Sequence, residues 1–417
     1  MKTKFNILVV VTTFPTVTET FILNHITDLL DKGHQVTVFA YVKPKNQPEH
    51  QIFADYNLDK IAVTHFKNYG NKLKVIEEAI LFYKKYFFQI NHFKILQLLN
   101  PFQLSKNLEK LKIYYDLPIL LFKNDFDIIH CHFGFNGKKV ADALELSMCG
   151  DAKAIVSFHG SDLTPSKIDY YKTLYKGVFN YFSAFTTNSV YLQNILLSVK
   201  SDISNHHIIS VGFKEKYLKK HLIEKPKDSV FNIIFCGRLI NWKAPDRAIK
   251  IVHEMMKKDC ENVVLHIIGN GEMMPQLKAL TKELNMESNV IFHGTINQEN
   301  VFKIMANGSV FLYPGIEDQD TQRTETQGLV LQEAQYFKLP VITSNVGGIK
   351  YGLIPNETGF LIESENEEDF VKKLILLYKN PDLSKDMGEK GQRYVLNEFE
   401  SEILGDKFIE IYNQINQ

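Results

Sequence analysis

Glu325 and Glu333 stand eight positions apart around a glycine, in the stretch Glu325-Thr326-Gln327-Gly328-Leu329-Val330-Leu331-Gln332-Glu333. Gly328 would let the backbone come close to a ligand, and the run after it has helical composition. A helix starting there turns its free N–H groups and the positive end of its dipole toward whatever lies in front, which suits a phosphate. Glu325 would lie just before that helix and Glu333 inside it. Carboxylates hold phosphate poorly but accept hydrogen bonds well from sugar hydroxyls. Together these features fit a ligand carrying both groups, such as a sugar joined to a nucleoside diphosphate. For two glutamates alone the plainer reading, a surface acidic residue and a solvent-facing helix glutamate, is the commoner case, so other residues must decide.

Arg238 is distinctive because the chain holds only four arginines (Arg238, Arg247, Arg323 and Arg393) among 48 basic residues. It follows a strand-like run, Phe231–Cys236, through Gly237. A planar guanidinium there suits bidentate phosphate binding, with Lys243 as a second positive charge. The plainer reading is a surface ion pair. His159 follows the apolar run Ala154–Phe158 and precedes Gly160, whose freedom permits a sharp turn. Asp162 would then cap the next segment or orient the imidazole. A lone histidine in this position is more often structural, and His159 gains weight only from its place at a strand end.

Strand-length apolar runs alternate with helical patterns almost throughout. The first half has Ile7–Thr12, Val36–Tyr41, Asp127–Phe133, Ala154–Phe158, Ala184–Asn188 and His207–Val211, with helices such as Glu19–Lys32 and Tyr170–Phe182 between them. The second half has Phe231–Cys236, Val263–Ile268, Val290–His293, Val310–Tyr313, Pro340–Thr343 and Phe360–Ile362. Continuous apolar strands with crossover helices predict parallel sheets covered on both faces. The fold class is therefore α/β, with two doubly wound domains. The charged, aperiodic stretch Lys214–Asp228 separates them. In such sheets ligands bind at the C-terminal strand ends. Several polar residues stand there: Thr16 and Glu19 at capping-box spacing after the first strand, His132 after the third, and the residues already named. The first strand is followed by no GxGxxG, which argues against a nicotinamide or flavin there.

At 417 residues the chain suits two domains, and 45% hydrophobic with 23% charged residues is a globular composition. Lys plus Arg equals Asp plus Glu at 48 each, so no global field calls for nucleic acid. Residues 1–213 carry 23 basic against 18 acidic side chains. The excess comes from Lys72 to Lys123. The four cysteines form no CxxC pair and have no histidine at zinc spacing, so they read as reduced core residues of a cytosolic protein. The N-terminus reads as a strand rather than a signal peptide, and no run reaches the length of a membrane span.

His159-Gly-Ser-Asp162, Gly237-Arg238-Leu through Lys243, and Glu325 to Glu333 followed by Pro340-Val-Ile and Gly347-Gly348 resemble glycosyltransferase family 4. These are retaining enzymes of the GT-B architecture, two Rossmann-like domains facing a cleft. Phe14-Pro15 with Glu19-Thr20-Phe21-Ile22 looks like the branch that builds colanic-acid-type bacterial exopolysaccharides. The resemblance implies an acceptor-binding domain over residues 1–213, a linker over 214–229 and a nucleotide-sugar-binding domain over 230–398. Residues 399–417 would form a helix crossing back to the first domain. It implies that Arg238 and Lys243 clamp the diphosphate and stabilise the leaving group. Glu325 would orient donor-sugar hydroxyls, with backbone amides from Thr326 to Leu329 assisting, and Glu333 would hold the ribose. His159 would touch the donor sugar or the acceptor side. Gly237, Asp162, Gln327, Gly328 and Val330 would complete the donor site, and Thr16, Glu19, Thr20 and His132 would lie on the acceptor side. Retention would proceed by front-face substitution, the leaving phosphate taking the acceptor's proton, rather than through the carboxylate pair of ordinary retaining glycosidases.

The chain departs from that pattern in two places. The first loop lacks paired glycines, and Ile349-Lys350-Tyr351 stand where relatives often carry a glutamate. No metal or other cofactor is expected: Asp125-Phe-Asp127 precedes a strand, and Asp318-Gln-Asp320 reads as a solvated acidic loop. The expected partners are a nucleotide-sugar donor (UDP- or GDP-linked) and a glycan or polyprenyl-linked acceptor, without nucleic acid. Segment 72–123 is either a basic, aromatic surface for an anionic bilayer or a set of helices with their aromatic faces packed inward. The expected location is cytoplasmic, with the inner membrane face as a peripheral site. Two other functions remain open from sequence: a nucleotide-sugar epimerase of the same architecture, and a non-catalytic sugar-nucleotide-binding protein.

Overall fold

The computed structural model describes residues 4–16, 19–44, 51–65, 72–98, 104–123, 125–223 and 230–417. Two parallel sheets organise them. The first has β1 (Asn6–Thr13), β2 (Gln35–Val42), β3 (Ala62–Thr64), β4 (Ile128–His132), β5 (Lys153–Phe158), β6 (Ala184–Thr187) and β7 (His206–Ile208) in the order β3-β2-β1-β4-β5-β6-β7. The second has β8 (Phe231–Cys236), β9 (Val263–Ile268), β10 (Val290–Gly294), β11 (Val310–Tyr313), β12 (Val341–Ser344) and β13 (Gly359–Ile362) in the order β10-β9-β8-β11-β12-β13. Val, Ile and Phe fill these strands because both faces are covered by helices: β4 and β11 are wholly buried, and β1 and β8 are buried through their middles. The expected strands are present, and the short edge strand β3 is additional.

In each sheet the strand order reverses between its first strand and the strand returning on the other side. Those switch points, β1/β4 and β8/β11, open a crevice at the C-terminal strand ends. The first crevice is bordered by Thr16, Glu19 and the residues after β4. The second is bordered by Gly237, Arg238 and the long loop after β11. The helix expected over Tyr170–Phe182 is two helices, Ile168–Leu174 and Lys176–Tyr181. The chain breaks at Tyr175, whose buried hydroxyl donates to the Asp162 carbonyl at 2.8 Å.

The chain crosses between the sheets twice, side by side. Phe213 N–H donates to Phe399 O at 3.1 Å, and Ser401 N–H returns to Phe213 O at 2.8 Å. A side chain at Gly212 would collide with the Phe399 carbonyl, so glycine lets the two crossings touch. Lys214 follows and is buried against the helix Thr20–Asp31, 2.9 Å from Asp28 and 2.7 Å from Asp31. Within the stretch Lys214–Asp228, Glu215–Leu218 forms a short helix, and residues 224–229 lie outside the described set. The final helix, Ser401–Ile415, lays Leu404, Phe408, Ile411 and Tyr412 into the core of the first sheet.

Candidate active site

A cleft of about 790 Å³ lies between the two sheets. Its second-domain wall carries Gly237, Arg238, Trp242, Lys243, Glu325, Thr326, Gln327, Gly328, Leu329, Val330 and Glu333, and the first domain contributes Glu19, Thr20, Phe21 and His159. The residues read from three separate stretches of sequence thus meet on one surface.

Gly328 has φ of +78° and starts the helix Leu329–Tyr336, so the free amides of its first turn border the cleft. The loop before it is held from behind by the turn after β12. Gly348 N–H donates to the Glu325 carbonyl at 2.8 Å. A Cβ at Gly348 would collide with the Thr326 carbonyl, and one at Gly347 (φ +52°) with that of Glu325. The paired glycines therefore allow the close backbone approach that sets Glu325 in place.

The Glu325 carboxylate is fixed by two donors on one oxygen: Lys243 Nζ at 2.6 Å and Tyr313 OH at 2.9 Å. Burial would raise its carboxyl, but Lys243, Tyr313 and Arg238 outweigh that and hold it below the usual carboxylate range. Glu325 is thus held as an anion, and among the described residues both donors bind the same oxygen. Arg238 is exposed, its guanidinium 6.0 Å from the Trp242 ring centre, and among the described residues it has no carboxylate partner. A cation left unpaired beside a paired one suits an incoming anion. Glu333 is different: burial raises its carboxyl to about 7, with the Gln298 side chain opposing.

Other expected site residues face elsewhere. Asp162 is fully buried and accepts from the backbone N–H groups of Gly134 (2.6 Å), His159 (3.0 Å) and Gly160 (3.0 Å). It shapes the turn that presents His159 and does not touch the donor side. Gln327 is committed across the domain gap, accepting from Val211 N–H and donating to Val211 O, both at 2.6 Å. Thr326 also bridges, donating to the His159 carbonyl at 3.1 Å and pairing with Asn188 at 3.2 Å. Side chains of Thr326 and Gln327 are therefore clamps, with only their backbone available to a ligand. His132 is 2% exposed and bonded to other histidines, so it lies behind the cleft wall rather than on it. Thr16 accepts from Glu19 N–H at 3.1 Å and orders the entry to the helix Thr20–Asp31, while Glu19 and Thr20 reach the cleft. Burial raises the Glu19 carboxyl, with the Thr16 hydrogen bond opposing.

Sequence reasoning passed over Tyr313, Asn188 and Gln298. Tyr313 sits in an apolar strand and reads as core; only its partner, twelve positions on, reveals the hydroxyl's role. Asn188 follows β6 as its siblings follow theirs, a signal that was available.

Two family models match consecutively: Glycosyltransferase Family 4 over residues 18–213 and Glycosyl transferases group 1 over residues 214–394. The chain is a glycosyltransferase of the GT-B architecture. The amylovoran biosynthesis glycosyltransferase AmsK of Erwinia amylovora is 25% identical to this glycosyltransferase over 87% of the chain and 88% of its own length. An uncharacterized glycosyltransferase of Haemophilus influenzae is 31% identical over 45% of the chain, and the match spans half of that relative. The crystal structure of Anabaena HepE with UDP shares the fold at a TM-score of 0.67, with 14% identity, 98% of this chain and 100% of that one.

Proposed function

We propose that this glycosyltransferase moves a sugar, with retention, from a nucleoside diphosphate to a glycan or polyprenyl-linked acceptor in bacterial surface polysaccharide synthesis. The observation that carries the reading is the convergence of Arg238, Lys243 and the helix start at Gly328 around an anionic Glu325 in one cleft. Arg238, Lys243 and the first-turn amides bind the diphosphate and stabilise the charge that grows as it leaves. Glu325, gripped by Lys243 and Tyr313, orients the donor-sugar hydroxyls. Glu333 meets the ribose, with Gln298 beside it. Glu19, Thr20 and His159 face the transferring sugar and the acceptor. The reaction follows front-face substitution, in which the leaving phosphate accepts the proton of the attacking hydroxyl, and no metal or other cofactor is expected. AmsK, named for amylovoran biosynthesis, and HepE, crystallised with UDP, make a UDP-sugar and a polysaccharide acceptor the first to test.

The test begins with thermal shift against UDP, GDP, ADP and their sugars, since a ligand at 100 times its Kd stabilises by about 2.7 kcal/mol. Stabilisation should vanish in Arg238→Ala and Lys243→Ala. The product's anomeric configuration, read by NMR, should match the donor's. Inversion, or epimerisation of the free donor, would overturn the reading. A glycosyl ester trapped on Glu325 would replace front-face substitution by a covalent route.

A second observation bears on location. Among the described residues no helix is long and apolar enough to cross a membrane. Phe82, Tyr86, Ile90 and Phe122 of the basic segment are buried, but Phe88, Phe93 and Leu96 are 86%, 64% and 61% exposed, near exposed Lys84 and Lys85. Large apolar groups among lysines suit the interface of an anionic bilayer, where a polyprenyl-linked acceptor resides. Anionic vesicles should therefore pellet the protein, less well at high salt. Pelleting that ignores lipid charge or survives Phe88→Ser/Phe93→Ser unchanged would exclude this surface.

A further inference from the structure

A groove of about 700 Å³ lies beside the cleft and shares Ser161, Pro165 and Arg323 with it. That volume suits a small ligand or a short stretch of a larger one. The first domain supplies one side from Phe135, on the helix Gly134–Glu145, and from the turn and short helix that carry Ser166, Lys167, Asp169 and Tyr170. The second domain supplies Arg323, on the loop after β11. The two sides are joined where Ser166 Oγ donates to the Thr321 carbonyl at 2.8 Å.

The charged residues lining this groove are Lys167, Asp169 and Arg323. Asp169 is answered by Lys172 at 2.9 Å. Asp318, on the same loop as Arg323, is already occupied: Oδ1 accepts from Thr321 N–H at 2.8 Å and from Thr321 Oγ1 at 2.7 Å, and Oδ2 accepts from Asn241 at 3.2 Å. The Asp318 N–H donates to the Arg323 carbonyl at 2.8 Å, which fixes where Arg323 leaves the backbone. Among the described residues Lys167 and Arg323 have no carboxylate partner. The groove therefore holds two uncompensated cations, in a chain whose acids and bases balance at 48 each. A guanidinium fork takes two oxygens of a carboxylate or of a phosphate equally well.

Phe135 and Tyr170 are 43% and 55% exposed. Both stand on buried rings: Phe135 is 6.1 Å from Tyr175, and Tyr170 is 5.6 Å from Tyr171. Tyr171 and Tyr175 stack on each other at 5.4 Å with their planes 1° apart. Propped in this way, the exposed rings have little freedom to lose when a ligand arrives. Their electron-rich faces suit the C–H face of a pyranose. A single exposed ring or a solvated lysine is ordinary surface. Two propped rings and two unanswered cations lining one groove, continuous with a cleft, call for an occupant that is both apolar-faced and anionic.

We propose that the groove is an acceptor subsite for an acidic glycan. Phe135 and Tyr170 stack on its rings, while Arg323 and Lys167 take a carboxylate or phosphate on a sugar behind the one that receives the donor. This rests on the proposed function and narrows its acceptor from any glycan to one carrying negative charge.

The probes are a hyaluronan tetrasaccharide, the same tetrasaccharide with its carboxylates reduced to alcohols, and maltotetraose with and without a 6-phosphate. Saturation-transfer NMR and calorimetry on the full chain read their binding at millimolar concentration. In at least one pair the acidic member should bind about tenfold more tightly than its neutral partner, with a smaller ratio at high salt. The pair that discriminates identifies the anion as carboxylate or phosphate. Arg323→Gln and Lys167→Gln should each bring the ratio toward one. Tyr170→Ala should weaken acidic and neutral members alike and keep the ratio. An Arg323 that only supports its loop would weaken both members equally, and that result would overturn the inference. So would equal binding within both pairs, no binding by either acidic probe, or displacement of the acidic probe by anionic vesicles, which would assign the groove to a lipid surface. Nucleotide binding by the unsubstituted protein is a separate readout. Acid preference without it would refute the proposed function and keep the groove, and nucleotide binding without acid preference would do the reverse.

Discussion

Tyr313→Phe isolates the hold on Glu325 better than any substitution of Glu325 itself. The Tyr313 ring is fully buried, stacked on Phe235 at 5.7 Å and Phe311 at 6.2 Å, and phenylalanine keeps that packing. The change removes one oxygen, the donor 2.9 Å from Glu325 Oε2, and leaves Lys243 at 2.6 Å on the same atom. A hydrogen bond to a charged acceptor is worth about 1.5–3 kcal/mol. Part of that belongs to folding, so a stability loss of about 1 kcal/mol is expected from unfolding curves. The orienting part acts on the transition state. At about 1.4 kcal/mol per decade, kcat/KM for donor turnover should fall about 10-fold, at most about 100-fold, with little change in nucleotide affinity. The decisive measurement is a double-substitution cycle with Glu325→Gln. If Tyr313 acts through Glu325, adding Tyr313→Phe to Glu325→Gln should cost less than about twofold. A full repeated loss in that background would refute the reasoning.

Three further outcomes follow from the same geometry. Glu333 has its carboxyl raised to about 7 by burial, so its neutral form supports the fold at low pH and that contribution is lost as pH rises through about 7. Ribose hydroxyls donate best to the carboxylate, so nucleotide affinity by calorimetry should rise between about pH 6 and about pH 8 and then level. Glu333→Gln should flatten the profile, and an unchanged profile would exclude Glu333 as its source. Gly348→Ala drives a methyl into the Thr326 carbonyl and should displace the Glu325 loop, costing about 1–3 kcal/mol of stability together with the nucleotide-induced thermal shift; a retained shift would show that the loop tolerates it. Lys214→Met strips the cation from buried Asp28, which should cost about 3–5 kcal/mol in denaturant unfolding near pH 8. Burial already raises Asp28 to about 6, so near pH 5 the carboxyl takes a proton and the deficit should shrink. Equal deficits at both pH values would argue against the pair.

The architecture was legible because parallel strands buried on both faces must be continuous apolar runs, and crossover helices must separate them. β3 escaped because Ala62–Thr64 is three residues at a sheet edge, too short to show a period. The meeting of Arg238, Lys243, Glu325 and Gly328 on one cleft was legible because the switch point lies where the chain leaves β8 and β11. The same rule put Asp162 and His132 at the site, and the structure buries both behind it. A polar side chain beside a strand end serves the backbone or the neighbouring domain as readily as a ligand, and composition cannot tell which. Tyr313 and Lys214 were hidden for the converse reason. Their chemistry lies in one terminal atom, whose partner is chosen by folding: Glu325 on a loop after the strand, and Asp28 some 186 positions away.

Three consecutive residues after β11 divide the work of the cleft. Glu325 faces the cleft, while Thr326 and Gln327 reach back to the His159 carbonyl and to Val211 in the other domain. Backbone geometry imposes this split: in an extended loop successive side chains leave in different directions, so a loop wedged between two domains presents one residue to the crevice and its neighbours to the walls. A ligand that displaced Glu325 would therefore pull on the contacts that join the two domains. His159 lies on that path too, since its carbonyl takes Thr326 Oγ1 while its ring nitrogen meets His132. Occupancy of the cleft and the set of its first-domain wall would then be coupled through adjacent atoms, without any long-range pathway.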